Sequence, residues 1–286
     1  MIRLRRSEWL LVAYFGYTAV LAHLLPLPSP VPAVTLGVNL AVVAGFALLA
    51  WAHSLRERRW FATLRDWYPA PLMLLAYREM GWFAPTHHTH QYEPTWVAWD
   101  RMLLNDWGLR AAIESLGALL PSVLELSYSL VYAIAPFAMA MLYVYGKHER
   151  VDRFLIIFLT GILAAYALFP YFPSEPPRAV FPGDQFPSVN TIFRRVNWAL
   201  LAGYGIHTSV FPSAHVAGAF SAAFAMLRLL PERRWVGCLL LPLAVSIAVA
   251  TIYGRYHYAA DAVAGLAISV AAYGVGVSLD RRRSRT

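Results

Sequence analysis

Apolar residues in this chain gather into long runs broken by short clusters of arginine, proline and glycine, the pattern of helices that cross a bilayer. Seven runs, at about 9–25, 33–52, 119–144, 152–172, 210–230, 235–253 and 258–279, approach or exceed the roughly 20 residues one crossing requires. An eighth, about 66–84, is weaker, because Arg78 and Glu79 interrupt it and Pro69 and Pro71 fall near its start. The pattern predicts an all-α, polytopic membrane helix bundle of about eight transmembrane helices, with an N-terminal pair in residues 1–60.

The basic residues favour the eighth crossing. With eight, both termini share one face, which collects Arg3, Arg5, Arg6, Arg56, Arg58, Arg59, Arg65, Lys147, Arg150, Arg153, Arg228, Arg233, Arg234, Arg281, Arg282, Arg283 and Arg285, 17 of the 24 Lys and Arg residues. The positive-inside rule makes that face cytoplasmic, which implies a multi-pass protein of the cytoplasmic membrane with both termini inside. The first run, behind Arg3-Leu4-Arg5-Arg6, also fits a secretory leader cleaved near Ala22, a change that leaves the order of the later crossings as it is.

Composition narrows the class further. Of 286 residues, 59% are hydrophobic and 14% charged, with a mean hydropathy of +0.49, which excludes a disordered or coiled-coil chain. A net charge of +8 would suit nucleic acid, but the basic residues border the apolar runs and read as orientation signals; the partner they imply is the lipid bilayer, with no nucleic acid. Cys238 has no second cysteine, so disulfides and cysteine metal sites are excluded.

Two stretches outside the spans, about 85–118 and 173–208, fall on the outer face. In the first, Trp96, Trp99, Leu103 and Trp107 recur at spacings of three and four, the pattern of a helix lying in the interface as a brace or as a lid over a site. His87, His88 and His90 suggest metal ligands at first sight, but adjacent histidines point apart, and the stretch reads as a polar loop holding no metal.

Ionisable residues near membrane interiors mark chemistry, and two stretches carry them: FPSAH at 211–215 and GRYHYAADAVAG at 254–265. Pro212 suits the opening turn of a following helix, which leaves Ser213 and His215 among unpaired backbone N–H groups at its positive end, an anion site in outline. His257 and Asp261 are four apart, so on a helix beginning near 256 the carboxylate can accept the imidazole N–H, although a chance helical pair looks the same. The topology brings both histidines to one face, with Arg178 from the loop YFPSEPPRAVFPGD and Arg255 beside them. Two histidines, a serine, two arginines and two helix N-termini suit a phosphate ester, whose charge spreads over several oxygens during transfer.

Pro212-Ser213-Ala214-His215 and the run Ala250-Thr251 to His257 and Asp261 resemble the second and third motifs of the type 2 phosphatidic acid phosphatase superfamily, Pro-Ser-Gly-His and Ser-Arg-x5-His-x3-Asp. The run Tyr253, Arg255, His257, Tyr258, Asp261 and Gly265 is more similar to the inositol phosphorylceramide synthase branch, which contains inositolphosphotransferases. The resemblance implies that residues 61–286 form a membrane catalytic domain with its site on the outer face. His257 is then the nucleophile that forms a phosphohistidine, Asp261 its orienting carboxylate and His215 the acid on the leaving oxygen, with Arg178, Ser213 and Arg255 as phosphate ligands.

It further implies a lipid phosphatase or phosphotransferase, with no metal or other cofactor, acting on a phospholipid or polyprenyl-phosphate-type substrate and leaning toward inositolphosphotransferase-like head-group transfer. Departures bear on the arginines: Tyr171 stands where the first motif, Lys-x6-Arg-Pro, has its lysine, Ala179 follows Arg178, and Thr251 occupies the third motif's arginine position. Two proton-transfer histidines imply a bell-shaped pH profile with limbs near neutrality. The rival class is a non-enzymatic transporter or scaffold with a buried polar network, though the two halves show no matching broken helices.

Overall fold

The computed structural model describes residues 4–55, 58–83, 89–183, 186–206, 208 and 210–283. Among these the chain is helical and contains no strand. In order come α1 (Arg6–Leu24), α2 (Val31–Leu55), α3 (Arg59–Trp67), α4 (Pro69–Phe83), α5 (Glu93–Arg101), α6 (Leu109–Glu114), α7 (Leu119–Val144), α8 (Val151–Leu168), α9 (Pro177–Val180), α10 (Ile192–Tyr204), α11 (Ala214–Leu229), α12 (Trp235–Tyr253) and α13 (Ala259–Arg283). Five are long and apolar enough to cross a membrane: α2, α7, α12, α13 and α8 with its flanking turns. α11 is apolar but has 16 residues, about 24 Å at 1.5 Å per residue.

The expected run at 66–84 divides into α3 and α4 at Tyr68, because Pro69 brings no N–H to a continuing helix and its ring crowds the residue before it. α5 is also shorter than the aromatic spacing implied. It ends at Arg101 in a wider turn through 102–106, and the expected row is not kept: Trp96 faces inward, while Trp99 on the same helix and Trp107 beyond the turn are exposed.

α11 lies at the centre, against α7, α8, α12 and α13. Its buried face is mostly small, with Ala214, Ala217, Gly218, Ala222, Ala223 and Ala225. Between helices in lipid there is no hydrophobic drive, so small side chains that let backbones approach supply the packing. Gly161 of α8 admits Ser221 of α11, whose hydroxyl oxygen would overlap any Cβ at 161. In contrast α2 turns Leu36, Leu40, Val43, Leu48 and Trp51 outward, as a helix at the lipid boundary does.

Polar contacts fasten the bundle at one end. Arg65 of α3 forks onto Glu8 of α1 at 2.5 and 2.7 Å, and Asp66 binds Arg5 and Tyr143. Ser7 donates to Asp152 of α8 at 2.5 Å, Arg150 reaches Glu232 at 2.9 Å, and Arg153 lies 3.6 Å from Asp280 of α13. The described basic residues 5, 6, 65, 150, 153 and 228 thus gather where α8 and α12 begin and α11 and α13 end. Arg3, Arg56 and Arg285 lie outside the described residues, as do His87 and His88. The opposite end carries α5, α9, α10 and the turn between α12 and α13.

Candidate active site

At that opposite end α12 stops with Gly254, and Arg255 takes a left-handed backbone (φ 63°) that reverses the chain. The N–H groups of Tyr256 and His257 both donate to the Thr251 carbonyl, at 2.9 and 3.0 Å, which closes the turn. α13 then starts at Ala259, not near 256, so His257 stands in the turn and Asp261 in the first helical turn. The pair still meets: Asp261 Oδ2 lies 3.1 Å from His257 Nδ1 and accepts the Tyr258 N–H at 3.0 Å. A carboxylate near a helix start that receives a backbone N–H is held by it, and here the same oxygen fixes the imidazole.

The other motif is tied to this one through backbone. The Ser213 N–H donates to the Asp261 carbonyl at 3.0 Å, and Gly265, one turn further along α13, leaves room for the Ser213 carbonyl, which would sit 2.5 Å from a Cβ at 265. α11 begins at Ala214 with Pro212 just before it, and His215 is in its first turn. The two imidazole rings come to 5.6 Å between centroids at 61°. They meet edge to face, and both line the wall of one cavity.

That cavity, about 420 Å³, is bounded by α4, α7, α8, α10 and α11 and is apolar apart from five tyrosines, His215, His257 and Arg178. α9 presents Arg178, whose Nη1 donates to the Tyr256 carbonyl at 3.3 Å and whose guanidinium lies 5.8 Å from the Tyr256 ring centre. Burial lowers the Arg178 pKa from the ordinary arginine value, and arginine keeps its charge across the physiological range. Burial first, then the charge of Arg178, push His257 down to about 3, which leaves the ring neutral, the form that attacks.

The structure therefore brings His215, His257, Asp261 and Arg178 together and places two expected phosphate ligands elsewhere. Ser213 is fully buried and its hydroxyl caps α11, accepting the Val216 N–H at 3.4 Å. Arg255 is fully buried as well, and its Nη1 donates to Asp100 of α5 at 2.6 Å, away from the cavity wall. The reason is electrostatic: a buried carboxylate at residue 100 needs a cation beside it, and the left-handed turn directs Arg255 there. His90 lies 3.3 Å from Glu93.

Sequence reasoning missed a stack behind His215. Tyr128 of α7 lies parallel to the His215 ring at 5.0 Å and to Tyr256 at 4.1 Å. The Tyr256 hydroxyl donates to Glu125 at 2.6 Å, and Glu125 also accepts from Asn197 at 2.8 Å and Arg194 at 3.2 Å, both on α10. An acidic residue inside the apolar run 119–144 was the signal that could have found this network.

A family model described as PAP2 superfamily matches residues 95–275, a range that includes both histidines, Asp261 and Arg178. A PA-phosphatase related-family protein of Dictyostelium discoideum is 26% identical over 128 residues, 43% of this chain and 22% of the relative, so the match spans about a fifth of that protein's length. No solved structure matches the chain significantly.

Proposed function

Because the chain belongs to the PAP2 superfamily, we propose that it is a lipid phosphotransferase or phosphatase working through a phosphohistidine. The observation that carries this reading is a carboxylate-held imidazole 5.6 Å from a second imidazole, on the wall of an apolar cavity with one guanidinium. Hydrocarbon fits the apolar part of that cavity, and a phosphoester fits its polar end.

In the first step the free nitrogen of His257 attacks phosphorus, the bond from phosphorus to the lipid oxygen breaks, and that oxygen leaves with its electron pair and a proton from His215. An acceptor hydroxyl then attacks phosphorus, its proton passes to His215, and the bond from His257 nitrogen to phosphorus breaks. Asp261 holds the tautomer that leaves the attacking nitrogen free, as a carboxylate partner does in other nucleophile pairs. Arg178 and the N-terminus of α11 stabilise the spreading charge. Ser213 and Arg255 act indirectly, one as the cap of α11 and the other within the His257 turn.

The apolar cavity supports the phospholipid or polyprenyl-phosphate class, and the resemblance of residues 253–265 to the inositolphosphotransferase branch supports transfer to an inositol-type hydroxyl. Eight crossings follow from α4, which leads from α3 at the basic end to α5 at the site end, although its 15 residues span only about 22 Å. The pair α1 and α2 precedes a catalytic domain from residue 61, in a cytoplasmic membrane with the basic end inside and the site outside.

The test is purified protein with a phosphorus-labelled phospholipid or polyprenyl phosphate, with and without an alcohol acceptor, beside His257→Ala. Turnover lost in a folded His257→Ala variant supports the enzyme, and undiminished turnover removes it. Free phosphate as the only labelled product, with acceptor present, overturns transfer in favour of hydrolysis.

A further inference from the structure

We propose that Asp100, on the amphipathic helix α5, is a positioning residue for the histidine nucleophile, acting through Arg255 and the first backbone N–H of α13. This inference rests on the phosphohistidine reading above. Its two carboxylate oxygens grip residues on either side of His257. Oδ2 accepts from Arg255 Nη1 at 2.6 Å, and Oδ1 accepts the Ala259 N–H at 2.9 Å. Asp100 and Arg255 are both fully buried, and no other hydrogen bond is made by the Arg255 Nε or Nη2 among the described residues. One carboxylate therefore neutralises the cation and satisfies a helix-start N–H that has no partner within α13.

The turn needs such a clamp. A left-handed backbone at a long side chain such as Arg255 is uncommon and persists where its surroundings over-determine it. Asp100 holds residues 255 and 259, the Thr251 carbonyl holds 256 and 257, and Asp261 holds the His257 ring. Release of the outer clamp leaves the fold of the bundle but lets the His257 ring leave its line of attack, and a displacement near 1 Å costs about 100-fold in rate.

α5 is suited to the task because the same helix reaches the other parts of the site. Glu93 accepts the Glu175 N–H at 3.1 Å, three residues before Arg178, and Trp96 stacks on Phe211, just before Pro212, at 5.0 Å.

The test is a quenched single-turnover experiment with ³²P-labelled phosphatidic acid and polyprenyl phosphate on wild type, Asp100→Asn, Arg255→Gln and the double variant. The amplitude of labelled protein counts folded sites, and the rate reports His257 orientation, so partial unfolding lowers the first and misorientation the second. The double variant removes both buried charges together and leaves neither unpaired, which keeps a folded protein in the set. The expected result is a rate at least tenfold lower at preserved amplitude, with KM and inhibition by inorganic phosphate within twofold of wild type and the double variant no slower than the slower single. Wild-type rates in the folded variants overturn the proposal, and so does a loss confined to KM and phosphate inhibition, which would make Arg255 a phosphate ligand. A wild type that forms no His257-dependent phosphoenzyme with either lipid overturns the phosphohistidine reading instead.

Discussion

The single residue with the most at stake is His257, because in the proposed reaction its protonation state decides whether it attacks. Its pKa is pushed below the ordinary histidine value by burial and by Arg178, so the reactive neutral form persists at neutral pH and is lost as pH falls through the lowered value. The acid limb of kcat/KM, which reports the free enzyme, is therefore expected well below pH 6.5, displaced from the near-neutral limb that the sequence suggests. A profile of kcat/KM from pH 3 to 9 checks this, and an acid limb at pH 6 to 7 assigned to His257 would contradict the buried geometry. Arg178 is the only arginine or lysine among the described residues that line the cavity. Arg178→Ala is expected to lower kcat/KM by about 10²–10³-fold, the effect of removing a donor aimed at developing charge. Arg178→Lys restores only part, since an ammonium lacks the planar fork; equal rates for the two variants would argue that the arginine holds structure and not substrate. His215, His257 and Asp261 were legible in the sequence because a spacing of four and two short motifs are local signals. The burial of Ser213 as a cap and the turn of Arg255 toward Asp100 were not, since both depend on partners that the spacing does not encode.

At the scale of elements, α5 separates two roles that share one composition. Trp96 is 8% exposed and stacked between Tyr92 and Phe211, whereas Trp99 on the same helix is 50% exposed. Trp96→Ala leaves a hole among rings and is expected to cost about 3–5 kcal/mol. Trp99→Ala, on the outer face of the helix, is expected to cost less than about 0.5 kcal/mol. Thermal unfolding in detergent compares the two, and equal losses would show that α5 is held at the interface as a whole and not pinned by its inner face. The apolar runs located most of the long helices closely, because length and apolar character are properties of the run itself. The break at Tyr68 and the widened turn at 102–106 blurred the rest, as did pairings across great sequence separation. Asp100 is 155 residues from Arg255, and Glu125 is 131 from Tyr256. Of those two, only Glu125 carries a local signal, an acidic residue inside an apolar stretch, and that signal was missed.

Across the whole molecule, the basic end and the histidine end are opposite ends of the bundle, and the proposed orientation has the first in the cytoplasm. The contacts make the two ends distinct without reference to any membrane. Arg150 joins Glu232 at one end, and the Ser213 N–H joins the Asp261 carbonyl at the other, with α8, α11, α12 and α13 running between. The lone cysteine makes the sidedness simple to test. Cys238 is exposed, so Cys238→Ala gives a background without thiols. Glu149→Cys and Arg234→Cys then mark the basic end, and Asn190→Cys marks the site end, each at an exposed position. In intact cells stripped of any outer barrier, a membrane-impermeant maleimide is expected to label Asn190→Cys at once, and Glu149→Cys and Arg234→Cys only after permeabilisation. The reverse order would place the histidines in the cytoplasm and change the pool of lipid and acceptor they meet. Labelling of all three without permeabilisation would mean that the chain does not separate its ends across a bilayer, and the crossings themselves would have to be abandoned.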